Sequence, residues 1–263
     1  MDMSDERAQT TRIDGKNGGC TGAGVIGCGW RAAMWYYGTL QSLNDQLLPA
    51  QHVAISIHGT AFPAIDALLP DDLESAGRLL KPYIECAERS DSRNYILANI
   101  TLHEAVDRLG DEIGTTGKFL HLREVIAARW QTSGTSSMIV GSAHTMRSGY
   151  LRSLFHGSGV RNWVEADCAD LEHIDRTRKQ VYSGELAPAE ASEEIASIFA
   201  RYPEVDRFII ACTEHSLALG HSSNQRVFDL GFEQCKHLLH RVATSDKSAA
   251  VRLTTPPQSS PLR

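Results

Sequence analysis

The stretch IIACTE, residues 209–214, combines a buried strand with a cysteine at its end and a polar turn behind it. An earlier stretch, YILANI at residues 95–100, has the same build at an offset of 114 residues. The strand ends VIG, residues 25–27, and IVG, residues 139–141, repeat at that same offset. Two independent pairs with one offset predict two α/β halves of related build, with a pseudo-twofold axis between them.

Short apolar runs alternate with longer amphipathic segments along the chain, an order that predicts parallel sheets with helices on both faces. Strands are predicted at residues 23–26, 52–57, 95–97, 137–140, 162–165 and 208–211. Helices are predicted at residues 31–48, 72–89, 103–113, 120–132, 145–155, 187–201 and 227–242. We therefore expect two doubly wound α/β halves with an active site in the cleft between them.

The chain divides into four regions by composition and pattern. Residues 20–132 and 226–243 are assigned to the first half, and residues 133–225 to the second half. Residues 1–19 and 244–263 are rich in Ser, Thr, Pro, Gly and charge, so both ends are predicted to be disordered.

Composition excludes several classes of function. The 263 residues carry a net charge of −6 without a run of Lys or Arg, which argues against nucleic-acid binding. No apolar stretch approaches the ~20 residues of a membrane span, and the polar N-terminus lacks a signal peptide, so a cytoplasmic protein is expected. The six cysteines form no C-x-x-C pair, and in a reducing compartment we expect free thiols.

Polar and small residues follow four of the predicted strands. These loops begin at Gly27, Ala98, Gly141 and Cys212. In open α/β sheets ligands bind beyond the carboxyl ends of the strands, so we expect the four loops to line one cleft.

Cys212 is the candidate acid/base of this cleft. Backbone N–H groups at the following helix start favour a thiolate, and Glu214 and His215 are close enough in sequence to tune it. The alternative is a strand-end cysteine that only packs in the core.

Four polar residues at the strand ends are candidate binders of a substrate carboxylate or amino group. Their hydroxyl, amide and backbone groups suit this role, although the same residue types routinely cap helices. They are Asn99, Ser142, Thr145 and Thr213. Of the histidines, His58, His103 and His144 are the ones that can face the same cleft.

The segment GCGWRA, residues 27–32, also fits the G-x-G-x-x-A fingerprint of dinucleotide-binding folds. That motif requires an acidic residue at the end of the next strand. The corresponding stretch, SIHG at residues 56–59, has none, so the motif alone is weak support for a dinucleotide site.

Two of the loops resemble those of the aspartate/glutamate racemase family. GSAHTMRSGY, residues 141–150, resembles the family's G-T-x-x-T-M-x-S-x-Y loop, and ACTE, residues 211–214, resembles its second motif, G-C-T-E. VYSG at residues 181–184 and VFD at residues 227–229 lie where the family has a helix end and a strand end. The resemblance covers about residues 23–243.

The resemblance implies proton transfer at the α-carbon of an acidic amino acid between two cysteines, one from each half. It implies no pyridoxal phosphate and no metal, a small amino-acid or dicarboxylate substrate, and a homodimer. For this chain it implies Cys212 as one acid/base and assigns substrate contacts to the following residues: Gly27, His58, Asn99, Ser142, Thr145, Thr213 and Glu214.

The first family cysteine, in a C-N-T-x-H motif, is replaced by Ala98, and Ile100 and a displaced His103 follow it. The N-terminal G-G-M-G-P motif is also changed, to GCGWR at residues 27–31. Because alanine cannot carry a proton, four explanations stay open. The first is that an alanine was substituted for a native cysteine, and the second is that another residue (His58, His103 or Cys28) takes the place of the cysteine. The third is that the reaction needs only one proton donor, and the fourth is that the chain only binds its ligand.

The one-donor explanation has a parallel in the arylmalonate decarboxylases, which resemble racemases that keep only the second-half cysteine. Their motif after that cysteine differs from the Thr213-Glu214 found here. The leading prediction is therefore an amino-acid racemase or epimerase, with a one-thiol decarboxylase or isomerase, or a silent amino-acid binder, as alternatives.

Overall fold

The computed structural model of the chain describes residues 22–48, 53–220 and 224–253. It contains two parallel sheets, ordered β2-β1-β3 and β5-β4-β6-β7. The strands are β1 (Gly22–Gly27), β2 (Ala54–Gly59), β3 (Ser92–Leu97), β4 (Thr135–Val140), β5 (Val160–Trp163), β6 (Arg207–Ile210) and β7 (Val227–Asp229). The predicted α/β class is confirmed, and the strand order around β1 repeats around β4.

Helices connect the strands of both sheets. They are α1 (Trp30–Leu47), α2 (Phe62–Asp66), α3 (Leu73–Arg89), α4 (Leu102–Leu109), α5 (Leu122–Arg129), α6 (Ala143–Arg147), α7 (Tyr150–Leu154), α8 (Cys168–Ser183), α9 (Pro188–Ala200), α10 (Thr213–Leu219) and α11 (Leu230–Leu253). A short 3₁₀ helix, Gly110–Ile113, continues α4. Within the described ranges, no helix is both long and apolar enough to cross a bilayer.

Helix α8 is absent from the sequence prediction. Its buried face is largely polar, since Asp170, Asp175 and Thr177 lie there beside Ile174 and Val181. An apolar period of 3.6 residues is therefore missing, and that period is what identifies an amphipathic helix in a sequence.

Two predicted helices have different bounds in the structure. The helix predicted at 145–155 is two helices, α6 and α7, because Ser148 ends α6 with extended backbone, φ −68° and ψ 146°. The helix predicted at 227–242 begins with a strand, β7, which pairs with β6 in the second sheet. The assignment of residues 226–243 to the first half is therefore wrong for β7.

Helix α11 itself packs on the first half. Cys235, Leu238, Leu239 and Val242 join the apolar core around β1 and α1. The helix extends to Leu253, past residue 243, so the predicted disordered tail begins too early. The rest of that tail, the predicted N-terminal disorder at 1–19 and the predicted strand start at His52 lie outside the described residues.

Each sheet has its own apolar core. Ile26, Tyr95 and Leu97 belong to the core of the first half, and Val140 and Ile210 to that of the second. Burying these side chains removes apolar area from water, which stabilises the fold by about 25 cal/mol per Å². Since all strands of both sheets run parallel, their carboxyl ends meet at one edge of each sheet.

The halves meet through polar side chains at these edges. The Glu104 Oε2 atom lies 3.1 Å from His144 Nε2, and the Thr101 and Thr145 hydroxyls lie 3.2 Å apart. The Arg31 guanidinium donates to the Val181 carbonyl at 2.9 Å. These contacts bring the strand ends of both sheets to one place.

Candidate active site

A cavity of about 810 Å³ lies between the two halves. Its wall includes residues 28–32 and 98–101 of the first half and residues 142–144 and 211–214 of the second. Asp175, Arg178, Lys179 and Tyr182 of α8 complete the second-half side. The predicted convergence of four strand-end loops on one cleft is therefore observed.

Cys212 lies between the end of β6 and the start of α10, partly buried, and lines this cavity. Its Sγ atom lies 2.6 Å from Oε2 of Glu214, two residues along the chain. The short turn into α10 holds the thiol and the carboxylate together.

Burial raises the pKa of the Cys212 thiol well above its usual range, and the charge of Glu214 raises it further. The Arg178 guanidinium and the backbone N–H of Glu214 lower the pKa of this thiol without overcoming those effects. The helix start does favour the thiolate, as expected, but burial and the Glu214 charge outweigh it in the resting protein. Cys212 rests as a neutral thiol, a form that can donate a proton.

Arg178 brings the positive charge to this side of the cavity. Burial lowers the pKa of its guanidinium, but the Asp175 carboxylate, and Cys212 in its thiolate form, raise that pKa more, so Arg178 stays charged. Its Nε atom lies 3.1 Å from the Asp175 carboxylate, which also accepts from Lys179 at 2.8 Å and from the Ala143 N–H at 3.1 Å. Asp175 thus fixes both cations of α8 at the cavity wall.

Ala98 occupies the matching place on the first half. It directly follows β3, is 1% exposed, and lines the cavity together with Cys212. The adjacent Asn99 also lines the cavity, and its Oδ1 atom accepts from the Leu102 N–H at 3.0 Å at the start of α4. Asn99 therefore serves as a helix cap, as the alternative interpretation anticipated, and still borders the cavity.

Ser142, Thr213 and Glu214 also line the cavity, as their predicted role requires. Ser142 caps α6, since its Oγ atom accepts from the Thr145 N–H at 3.1 Å. Thr145 does not line the cavity: it is buried behind Ser142, with the two hydroxyl oxygens 2.8 Å apart. Its predicted contact with substrate is corrected to support of Ser142.

Gly27 and His58 do not line the cavity, contrary to their predicted role. A Cβ atom at Gly27 would lie 2.9 Å from the Cβ of Ala33, so this glycine permits the close approach of β1 and α1. His58 lies on the edge strand β2, where Ser56 and Cys86 are its neighbours at 3.4 and 4.0 Å.

Of the three residues considered as replacements for the missing cysteine, only Cys28 borders the cavity. His103 is fully buried, with its Nε2 atom 3.1 Å from the Gln234 amide nitrogen and its ring stacked on Phe119. His58 is excluded by its position on β2. Among the described residues, no group of three or more His, Cys, Asp and Glu could hold a metal ion.

The α8 residues are the part of the site that the sequence analysis missed. Asp175, Arg178 and Lys179 follow the i, i+3, i+4 spacing that pairs side chains on one helix face, and this was the available signal. Arg31, which donates to Val181 beside them, and the largely exposed Trp30 border the opening from the first half.

Neither a protein-family model nor a curated protein matches this sequence. Solved structures do resemble it. An aspartate racemase homologue from Pyrococcus horikoshii OT3 is 17% identical, with 85% of this chain and 99% of that chain covered and a TM-score of 0.69. An aspartate racemase from Picrophilus torridus is 19% identical, with coverages of 85% and 94% and a TM-score of 0.69.

A glutamate racemase from Francisella tularensis, solved in complex with D-glutamate, is 12% identical. It covers 92% of this chain and 86% of its own, with a TM-score of 0.60. At these identities the likeness establishes a shared fold.

Proposed function

We propose that this chain, which has the fold of the aspartate and glutamate racemases, is a cofactor-independent racemase or epimerase. It moves a proton at the α-carbon of an acidic or related amino acid, with Cys212 as the acid/base. One observation carries this proposal: the Cys212 thiol lines an interhalf cavity, 2.6 Å from the Glu214 carboxylate and beside charged Arg178.

The charges of the wall suit a carboxylate substrate. Arg31, Arg178 and Lys179 border the cavity, and Asp175 holds the two α8 cations in place. Asn99, Ser142 and Thr213 add amide and hydroxyl groups. A cation beside the substrate carboxylate also stabilises the negative charge that develops there when the α-proton leaves.

The raised pKa of Cys212 suits the difficult step. An α-proton is weakly acidic, so its removal needs a strong base, and a thiolate with a raised pKa is a stronger base than an ordinary one. The Glu214 carboxylate keeps the pKa of the thiol high, and Arg178 favours the thiolate once the proton has passed to solvent. The reactive form is a minor population at neutral pH.

A second candidate, a one-thiol decarboxylase or isomerase, is favoured by Ala98. A methyl group at the matching strand end cannot carry a proton, whereas a neutral Cys212 thiol can protonate one face of a carbanion. In a decarboxylase the departing carbon dioxide leaves the electron pair behind, and a single proton donor suffices.

One experiment separates these functions. The full chain is incubated without cofactor in deuterium oxide with L- and D-aspartate and L- and D-glutamate, and the α-proton signal is followed by NMR. Loss of that signal supports the proposal. Carbon dioxide release from phenylmalonate without exchange of the amino acids favours the second candidate, and thermal stabilisation by these acids with neither reaction indicates a binding protein.

A further inference from the structure

The first half contributes a thiol of its own to the cavity wall. Cys28 follows β1 directly and lines the same cavity as Cys212, which belongs to the other half. Strand β1 lies beside β3, and the Ala98 N–H donates to the Ile26 carbonyl at 3.0 Å. Cys28 therefore lies on the strand next to the place that matches Cys212.

The other residues of the first-half wall are poorly suited to proton transfer at a carbon atom. Arg31 does not deprotonate, and the Asn99 amide and Thr101 hydroxyl do not titrate near neutral pH. Asp66 is exposed at the rim. Among the described residues on this side of the cavity, Cys28 is thus the buried group that can both give and accept a proton.

The turn between β1 and α1 fixes the position of Cys28. Gly29 has φ +80°, a value that favours glycine, and a Cβ atom there would lie 3.3 Å from the Phe62 ring. Helix α1 starts at the next residue, so Cys28 is held between a buried strand end and a helix start. It is 3% exposed, which keeps bulk water away from the sulfur.

The protonation state of Cys28 suits a proton donor. Burial raises the pKa of its thiol to about 12, against a smaller opposing effect of Thr60, so the thiol is neutral at physiological pH. The hydroxyl of Tyr36 lies within electrostatic reach of both sulfurs. Burial raises the pKa of Tyr36 most, followed by Cys235 and Asp229, and Cys28 and Cys212 in their thiolate forms add smaller rises.

We propose that Cys28 is the acid/base of the first half and carries the proton on the face of the α-carbon opposite Cys212. This inference rests on the proposed function. The Cys212 thiolate takes the α-proton, and the electron pair of the broken C–H bond stays on the α-carbon and is delocalised into the carboxylate. The Cys28 S–H bond then breaks, and its proton forms the new C–H bond on the other face.

After that step Cys28 is the thiolate and Cys212 is the thiol. Only protons have moved, so neither cysteine nor the substrate is oxidised or reduced. Proton exchange with water restores the starting forms. The reverse reaction uses the thiolate of Cys28 as the base. The two enantiomers are thus distinguished by which sulfur meets the α-proton first.

The test compares Cys28→Ala with Cys235→Ala, a buried thiol on α11 that does not line the cavity. Inversion and α-proton exchange are measured separately in deuterium oxide, from each enantiomer of aspartate and glutamate. Cys28→Ala is expected to lose inversion by at least about 100-fold, while one enantiomer still exchanges with retention. Cys235→Ala keeps both reactions, and thermal unfolding verifies that both variants are folded.

Three results overturn the inference alone: a folded Cys28→Ala that inverts at the wild-type rate, a folded Cys28→Ala that exchanges neither enantiomer, or a wild-type chain that exchanges without inverting. A wild-type chain that exchanges none of the four acids overturns the proposed function, and the inference with it.

Discussion

The strand ends after β3 and β6 occupy matching places in the two sheets, yet only one carries chemistry. After β6, Cys212 contacts Glu214, and Arg178 of α8 supplies a positive charge. After β3, Ala98 presents a methyl group and Asn99 caps a helix. The same backbone design therefore carries a titrating group at one of these two strand ends and a methyl group at the other, so topology places the site and individual side chains decide what it does.

Apart from the loss of Cys212 itself, the largest expected effect comes from removing the positive charge of Arg178, which lies beside that thiol. Arg178→Met is expected to lower kcat/KM for α-proton exchange by about 10² to 10³, because the cation supports the Cys212 thiolate and the developing charge on the substrate. NMR exchange rates in deuterium oxide measure it. Arg161→Met, on the exposed strand β5, serves as the control and should change little. If Arg178→Met exchanges the α-proton at the wild-type rate, the Arg178 charge has no role in the reaction.

Replacing the Glu214 carboxylate should shift the pH dependence of exchange to lower pH and lower its maximum rate by roughly tenfold, because a thiolate of lower pKa is a weaker base. In the wild type, exchange rises about tenfold per pH unit between pH 7 and 9, since the pKa of Cys212 lies above that range. Burial still raises the thiol pKa in Glu214→Gln, but the charge that raises it further is lost, so the rising limb of the profile moves to lower pH.

Alkylation of Cys212 by iodoacetamide, followed by mass spectrometry, reads this shift independently of turnover. The label should enter Glu214→Gln faster than wild type at pH 7.5. Equal labelling rates would mean that Glu214 does not govern the proton on the sulfur.

Placing a thiol at position 98, the strand end that lacks one, should narrow the difference between the two strand ends. In a Cys28→Ala background, Ala98→Cys is expected to restore inversion to within about tenfold of the wild-type rate, because a sulfur again faces Cys212. Ala98→Ser adds a side chain of similar size without a titrating thiol, and it should not restore inversion. Chiral chromatography of the product measures both. If Ala98→Cys does not restore inversion, position 98 does not face the substrate in the way that Cys212 does.

The smallest expected effect concerns stability. His215 matches Thr101, which does not titrate, and burial lowers the pKa of His215 from 6.5 to about 4. The pKa of His215 is lower in the folded state than in the unfolded state. The neutral imidazole therefore contributes fully to the free energy of unfolding above pH 6.5, and this contribution is lost as the pH falls toward 4. The loss is on the order of 3 kcal/mol.

Urea unfolding of wild type and His215→Gln at pH 7 and pH 4.5 tests this. The stability difference between the two pH values should shrink in the variant. Asp229 should have the opposite effect on the pH dependence of stability, and Asp229→Asn should remove it. Burial raises the pKa of Asp229 from 3.8 to about 6, so its contribution to stability is lost as the pH rises through that range. An unchanged pH dependence in His215→Gln would contradict the neutral buried imidazole.

The sequence predicted the strands and the strand-end loops because buried parallel strands are apolar runs and the polar residues behind them are local. It placed Ala98, Asn99, Ser142 and Cys212 at one cavity for this reason. It did not reveal α8, whose buried face relies on ion pairs with other segments, such as Asp170 with Arg201 of the turn after α9. Pairing between distant segments leaves no period in a sequence.

The direction of the Cys212 pKa was also beyond the sequence. A helix start favours a thiolate, but the extent of burial, which dominates here, is set by packing between segments. The same limit applies to His58, whose strand was predicted but whose position on the edge, away from the cavity, depends on the order of strands in the sheet.

The account is tested most directly by α-proton exchange of aspartate and glutamate in deuterium oxide by Cys212→Ser and Cys168→Ser, each compared with wild type. Cys168 is an exposed thiol at the start of α8 and provides the matched control. We expect Cys212→Ser to lose inversion, and to lose exchange from the enantiomer whose α-proton faces Cys212, with its thermal unfolding midpoint close to that of the wild type. Cys168→Ser should exchange both enantiomers normally. A folded Cys212→Ser that exchanges both enantiomers at the wild-type rate would contradict the account.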